Sequence, residues 1–284
     1  MRISKFFMLF SLALMITAQS VYSPAASAQE KIGLDMGITY QSDYFWRGFS
    51  FYGYGANANA DATRGVFFPW LGYAFSDFYL YVGGEVAEGL VGDDPVDMEK
   101  DWNGIDFILT GSKGIMDDAI KLGIKLSYFY YPRSRKDDWG NGNANDFYEV
   151  APSITFAKLP LSPKLLVSWY GRIEEQFDGQ ETMKDTYFQL SFGESIELVK
   201  GASLYLGAWG SYFYYASYET AEGDPRQGFS DIGAMAKISV SASAGVSFSA
   251  SYNFAYTPDK DFYEANGYED KYHNWTTFGV TYSI

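Results

Sequence analysis

Acids and bases stand on the polar faces of a series of alternating segments, and that placement is the main clue to chemistry. Following each polar face gives Asp35, Asp43, Glu85, Asp106, Glu149, Asp185 and Asp231 as acids. The same rule gives Arg47, Lys121, Lys125, Lys164, Arg172 and Lys237 as bases. The two signs nearly cancel. Such a mixed wall can form a ladder of ion pairs that fills a narrow interior, or a polar constriction that sorts small solutes. The residues leave both open. Arg47 adds a planar fork able to hold a carboxylate of the wall or of a solute.

Other chemistries find little support. The chain has one histidine, His273, and His273-Asn274-Trp275 has no closely spaced serine nucleophile. A rim or interface role suits it better than a general base. There is no glycine-rich phosphate loop and no nucleophile elbow. There is no cysteine, hence no disulfide, no Cys–His metal set and no lipid-bearing cysteine. We expect no enzyme, no cofactor and no metal site. A lipid-modifying barrel enzyme is the weakest of the alternatives weighed.

The net charge of −14 argues against nucleic acid as a partner, because phosphate binding needs a basic surface. Much of the acidity lies in three runs between the alternating segments. These are Asp93, Asp94, Asp97, Glu99 and Asp101; Glu174, Glu175, Asp178 and Glu181; and Asp259, Asp261, Glu264, Glu269 and Asp270. They read as a solvated rim, or as a mouth that concentrates cations or bridges divalent ions to anionic lipid heads. None has the ordered spacing of a calcium loop.

The elements that must position these residues are strands. Ile32, Leu34, Met36, Ile38 and Tyr40 alternate with Asp35, Gly37, Thr39 and Gln41. Ile120–Tyr128 and Val246–Phe254 repeat the pattern. At the C-terminus Phe278, Val280, Tyr282 and Ile284 alternate with Thr277, Gly279, Thr281 and Ser283. A period of two gives each strand one apolar and one polar face. Strands with unpaired edges aggregate, so closure into a barrel with its apolar side toward lipid meets both needs. The last strand resembles the targeting signal of outer-membrane barrels, which implies recognition of Phe278, Val280, Tyr282 and Ile284 by the barrel assembly machinery. Aromatics make up 19% of the chain, which suits two interfacial girdles.

Residues 1–28 read as a secretory signal: Arg2 and Lys5, an apolar run over Phe6–Thr17, then Ala26-Ser27-Ala28 as a cleavage site. Residues 29–284 would form the barrel. Short connections (Ser76–Asp77, Lys113–Asp118, Ala157–Ser162, Glu194–Gly201, Ser241–Ser243) alternate with long ones (Gly89–Asp101, Tyr131–Asn145, Ile173–Thr182, Tyr214–Gly228, Thr257–Lys271). Reading Gly55–Thr63 as part of a first outer loop, Tyr52–Gly65, leaves twelve strands and both termini in the periplasm. The clusters Tyr128–Tyr131, Tyr212–Tyr215 and Phe254–Tyr256 would form the outer girdle. Phe75, Phe78, Phe156, Phe192 and Tyr282 would form the inner one.

Ser42–Ser50 reads as an extension of the first strand, with Asp43, Phe45, Arg47 and Phe49 inward. Its core Ser42-Asp43-Tyr44-x-x-Arg47-Gly48 resembles the opening strand of the TorF-type porins of Gram-negative outer membranes. The resemblance covers about Ile32–Ser50, with Phe45-Trp46 where Val-Phe is common. It implies passive transport without naming a solute. The expectation is therefore an all-β, twelve-stranded, antiparallel up-and-down barrel in the outer membrane. It would pass small hydrophilic solutes with a weak preference for cations. Asp43, Arg47, Lys121, Lys125, Glu149, Lys164, Arg172, Asp185 and Lys237 would line the route. The competing expectation is a closed structural or surface-binding barrel.

Overall fold

A computed structural model describes residues 33–42, 45–46, 49–50, 66–87, 104–130, 147–172, 185–219, 225–242, 245–259 and 271–284. The strands are β1 (Gly33–Gln41), β2 (Phe45–Trp46), β3 (Phe49–Ser50), β4 (Val66–Phe75), β5 (Phe78–Ala87), β6 (Gly104–Ile115) and β7 (Ile120–Tyr130). Then come β8 (Phe147–Phe156), β9 (Lys164–Arg172), β10 (Asp185–Val199), β11 (Ala202–Glu219), β12 (Pro225–Ser241), β13 (Val246–Tyr256) and β14 (Tyr272–Ser283). Twelve of them, β1 and β4 to β14, form one closed antiparallel barrel. β1 and β14 close it, in register from Asp35 opposite Ser283 to Gln41 opposite Thr277. The expected strand count and up-and-down order hold. The start of β1 and the end of β14 lie at the same end, where Ile284 N–H donates to the Leu34 carbonyl at 2.9 Å.

Alternation sorts the side chains as the sequence implies. Leu71, Tyr73, Leu80, Leu126, Leu190, Ile238, Phe248 and Phe278 are all exposed on the outside of the wall. A soluble protein rarely shows a continuous apolar patch beyond a few hundred Å². Here the apolar surface encircles the molecule, and hydrocarbon is the solvent that accommodates it. Within this wall the ladders close at tight turns. Gly201 takes φ +82° in the turn between β10 and β11, a conformation glycine reaches without strain. Pro69 and Pro152 have no N–H to give. The β4–β5 ladder skips Phe68 and Pro69, and the β8–β9 ladder skips Ala151 and Pro152.

Several sequence expectations need correction. The first strand does not run on to Ser50: β1 ends at Gln41, and Phe45-Trp46 pairs with Phe49-Ser50 in a separate small ribbon. Both ladders of β1 end together among the described residues. The ladder to β4 stops at Val66, opposite Gln41, and Ser42 closes the other edge by exchanging hydrogen bonds with Thr276. Secondly, the connection expected over Tyr214–Gly228 is mostly strand. β11 and β12 stay paired out to Glu219 opposite Pro225, with a bulge beyond Ser211. The turn expected over Glu194–Gly201 likewise shrinks to Lys200 and Gly201, because β10 runs on to Val199.

A further correction concerns aromatics. Phe129 and Phe213 do not join an outer girdle; both are fully buried on the interior face. A run of four aromatic residues in a strand must send alternate rings inward. Phe75, Phe78, Phe192 and Tyr282 are exposed on the outside, as expected of the inner girdle. Residues 1–28, Gly55–Thr63 and the long connections 89–101, 131–145 and 173–182 lie outside the described residues, as does most of 257–271.

Candidate pore interior

The interior-facing residues change character along the barrel. Toward the end where β1 starts and β14 finishes they are open: Ser112, Lys121, Ser195 and Ser241 are exposed, and Thr39, Ser191, Ser249 and Thr281 are half-buried. Toward the opposite end they are buried: Gln41, Asp106, Ser127, Gln189, Asp231, Asn253 and His273. Buried rings share this belt, among them Phe68, Trp70, Tyr81, Tyr170, Tyr187 and Trp275. The interior wall is thus accessible toward one end of the barrel and buried toward the other.

One charged pair anchors the belt. Lys125 on β7 and Glu149 on β8 are on facing strands, with Lys125 Nζ 2.6 Å from Glu149 Oε2. Their side chains are only 3% and 0% exposed. Ser168 on β9 donates to Glu149 Oε1, and Ser127 donates to Oε2 at 3.5 Å. A buried carboxylate needs this many partners, since each unmet lone pair would carry a desolvation cost.

A second polar network crosses β10, β11 and β12. Gln189 donates to Tyr187 OH at 2.9 Å, and Tyr187 OH donates to Ser211 Oγ at 2.6 Å. Ser211 donates to Asp231 Oδ2 at 3.3 Å, and Trp209 Nε1–H donates to the same oxygen. Ser230, at the bulge, donates to Asp231 Oδ1 at 2.9 Å. On β13, Asn253 Nδ2 donates to Ser251 Oγ at 3.0 Å and to the Trp275 carbonyl at 3.3 Å. These networks fix the side chains that project inward.

Of the residues expected to line a route, Lys125 and Glu149 are brought together as an ion pair. Lys237 is buried on β12, opposite Tyr205 and Ser251. Lys121 is exposed near the start of β7. Lys164 opens β9, half-buried between Thr155 and Ser191. Asp185 opens β10, half-buried opposite Tyr170. Arg172 ends β9 opposite Phe147. Asp43 and Arg47 lie outside the described residues. Ser127, Ser168, Tyr187, Gln189 and Asn253 escaped the sequence reading, although alternation had already placed them on the polar faces. Following only the charges along those faces passed them over. His273 faces the interior, opposite Ala255. Among the described residues no group of three His, Cys, Asp or Glu side chains is close enough to hold a metal.

No protein-family model matches the chain, and no curated protein matches it by sequence. Solved structures do match in fold. The NanC porin aligns over 88% of this chain and 98% of its own at 8% identity, with a TM-score of 0.51. An outer-membrane channel from Pseudomonas putida F1 aligns over 92% and 99% at 10% identity, with a TM-score of 0.53. At these identities the likeness establishes a shared barrel fold.

Proposed function

We propose that the chain is an outer-membrane channel for passive diffusion of small hydrophilic solutes, and not an enzyme. One observation carries the reading: a closed wall with a continuous apolar exterior encloses an interior of hydroxyls, amides and charges that is exposed toward the end where β1 starts and β14 finishes. The two solved structures that share the fold are titled a porin and an outer-membrane channel. Membership of the TorF-type porins rests on the Ser42–Gly48 core. Residues 1–28 would direct export and be removed. Phe278, Val280, Tyr282 and Ile284, all exposed on the outer face of β14 and at the chain end, would meet the barrel assembly machinery and then outer-membrane lipid.

Lys121, Lys125, Glu149, Lys164, Asp185 and Lys237 would line the route, joined by Asp43, Arg47 and Arg172. Acidic outer segments would give a weak cation preference. A second reading, a closed structural barrel, is favoured by one fact: the Lys125–Glu149 pair is almost fully buried. Osmotic swelling of liposomes carrying the purified barrel separates the two. Entry of small sugars, falling with sugar size, supports the channel; folded barrel with no swelling supports the closed form.

A further inference from the structure

Several inward aromatic rings lie flat on inward glycines. Trp209 on β11 stands opposite Gly233 on β12. A Cβ built on Gly233 would overlap the six-membered ring of Trp209, 2.6 Å from Cη2 and closer to Cζ2 and Cε2. Tyr205 covers Gly207, where a Cβ would stand 2.7 Å from Cε1, and its hydroxyl end covers Gly193. On the other side Trp70 lies over Gly37, where a Cβ would meet the Val280 backbone carbonyl at 2.5 Å and Trp70 Cζ2 at 2.7 Å. Tyr79 covers Gly72 and Tyr81 covers Gly83. Glycine weakens a strand and marks places where another group must approach the backbone closely. Each of these glycines makes room for a ring to lie along the wall.

The rings form two panels. Trp70, Tyr79 and Tyr81 lie on β4 and β5; Tyr205 and Trp209 lie on β11. In the strand order around the barrel β4–β5 and β11–β12 stand on opposite sides. Each panel is held. Trp70 stacks on Tyr81 with centroids 5.8 Å apart and planes 25° apart. Trp209 is fixed at its edge by the Nε1–H bond to Asp231. Trp70 and Tyr81 are buried in a cluster with Ile108 and Phe129, whereas Tyr205 and Trp209 are half-buried, so a ring standing upright from β11 would project into space that a flat ring leaves free.

We propose that the glycine seats of β11, by holding Tyr205 and Trp209 flat on the wall, set the width of the pathway and hence the largest solute that passes. The proposal rests on the channel reading. Gly233→Ala is the direct test, because the nearest atoms to the added methyl all belong to the Trp209 side chain and none to backbone. The methyl evicts the ring and leaves the ladder intact.

The chain has no cysteine, so one added at Ser191 gives a clean second readout. Ser191 is half-buried on β10, opposite Trp209 on the side away from Gly233. In folded Gly233→Ala we expect lower single-channel conductance, a smaller sugar cut-off in liposome swelling, and slower labelling of Ser191→Cys by a bulky maleimide. Labelling by a small maleimide should change less. Adding Trp209→Ala should restore all three to wild type or beyond. A folded Gly233→Ala with unchanged conductance, cut-off and labelling overturns the proposal, as does a double variant as narrow as the single. Should Gly233→Ala fail to fold, Trp209→Ala alone decides: a larger cut-off supports the proposal and an unchanged one overturns it. Wild type that conducts nothing sinks the channel reading, and the maleimide rates still decide whether the seats set the interior width.

Discussion

Glu149→Ala removes the acceptor at the centre of the buried belt. The structure allows a magnitude to be worked out. Lys125, 3% exposed, would keep its ammonium with no carboxylate at 2.6 Å. Ser168 and Ser127 would lose their acceptor as well. Breaking a buried ion pair by removing one partner costs about 3–5 kcal/mol. Lys125→Met should cost a similar amount, since it removes the ammonium 2.6 Å from the buried carboxylate. The double variant Lys125→Met/Glu149→Leu removes both charges together and should be more stable than the sum of the two single costs implies. A coupling energy of about 2–3 kcal/mol is expected for groups in direct contact. The assay is urea unfolding of the barrel in lipid vesicles, followed by the heat-modifiable shift on gels. Single variants costing under about 1 kcal/mol that add without coupling would match an exposed pair and refute the dry belt.

The remaining predictions concern placement and assembly. Cysteines at Asp94, Asp138, Asp178, Asp224 or Glu264 should react with an impermeant thiol label on intact cells, while cysteines at Asp77, Asp118 or Ala242 should not; labelling of the second set overturns the orientation. Tyr282→Asp, or deletion of Tyr282–Ile284, should block insertion while export and signal removal proceed, and normal heat-modifiable barrel from either variant counts against it. Leu126→Arg, on the outer face of β7 and 43% exposed, should destabilise the barrel by up to about 2–4 kcal/mol; Ser112→Arg, inward and exposed to the lumen, should be far milder. A comparable cost for both would mean the two faces are misassigned.

What the sequence disclosed was decided by local periodicity. Alternation in Ile120–Tyr128 and Val246–Phe254 fixes which face is apolar, and short turns such as Ser76-Asp77 fix the hairpins. Together they yield twelve strands and a common end for both termini. Strand ends were less legible because they depend on partners: β1 stops where its ladder to β4 ends, and β11 and β12 continue because they have each other. Alternation also puts Lys125 and Glu149 on the same face, yet their contact depends on the β7–β8 register, set by the stagger of the whole ring. The glycine seats are legible only in pairs across strands. Gly233 alone reads as a weak point in a strand, and its role emerges when Trp209 is found opposite.

The central claim is that this barrel conducts, and single-channel recording in a planar bilayer tests it most directly. Purified folded protein should give discrete current steps. Reversal potentials should favour cations at low salt, and the preference should fade as salt rises, since exposed charge is screened within about 10 Å at 0.1 M. Folded barrel, verified by its heat-modifiable shift, that gives no steps at any salt would contradict the account.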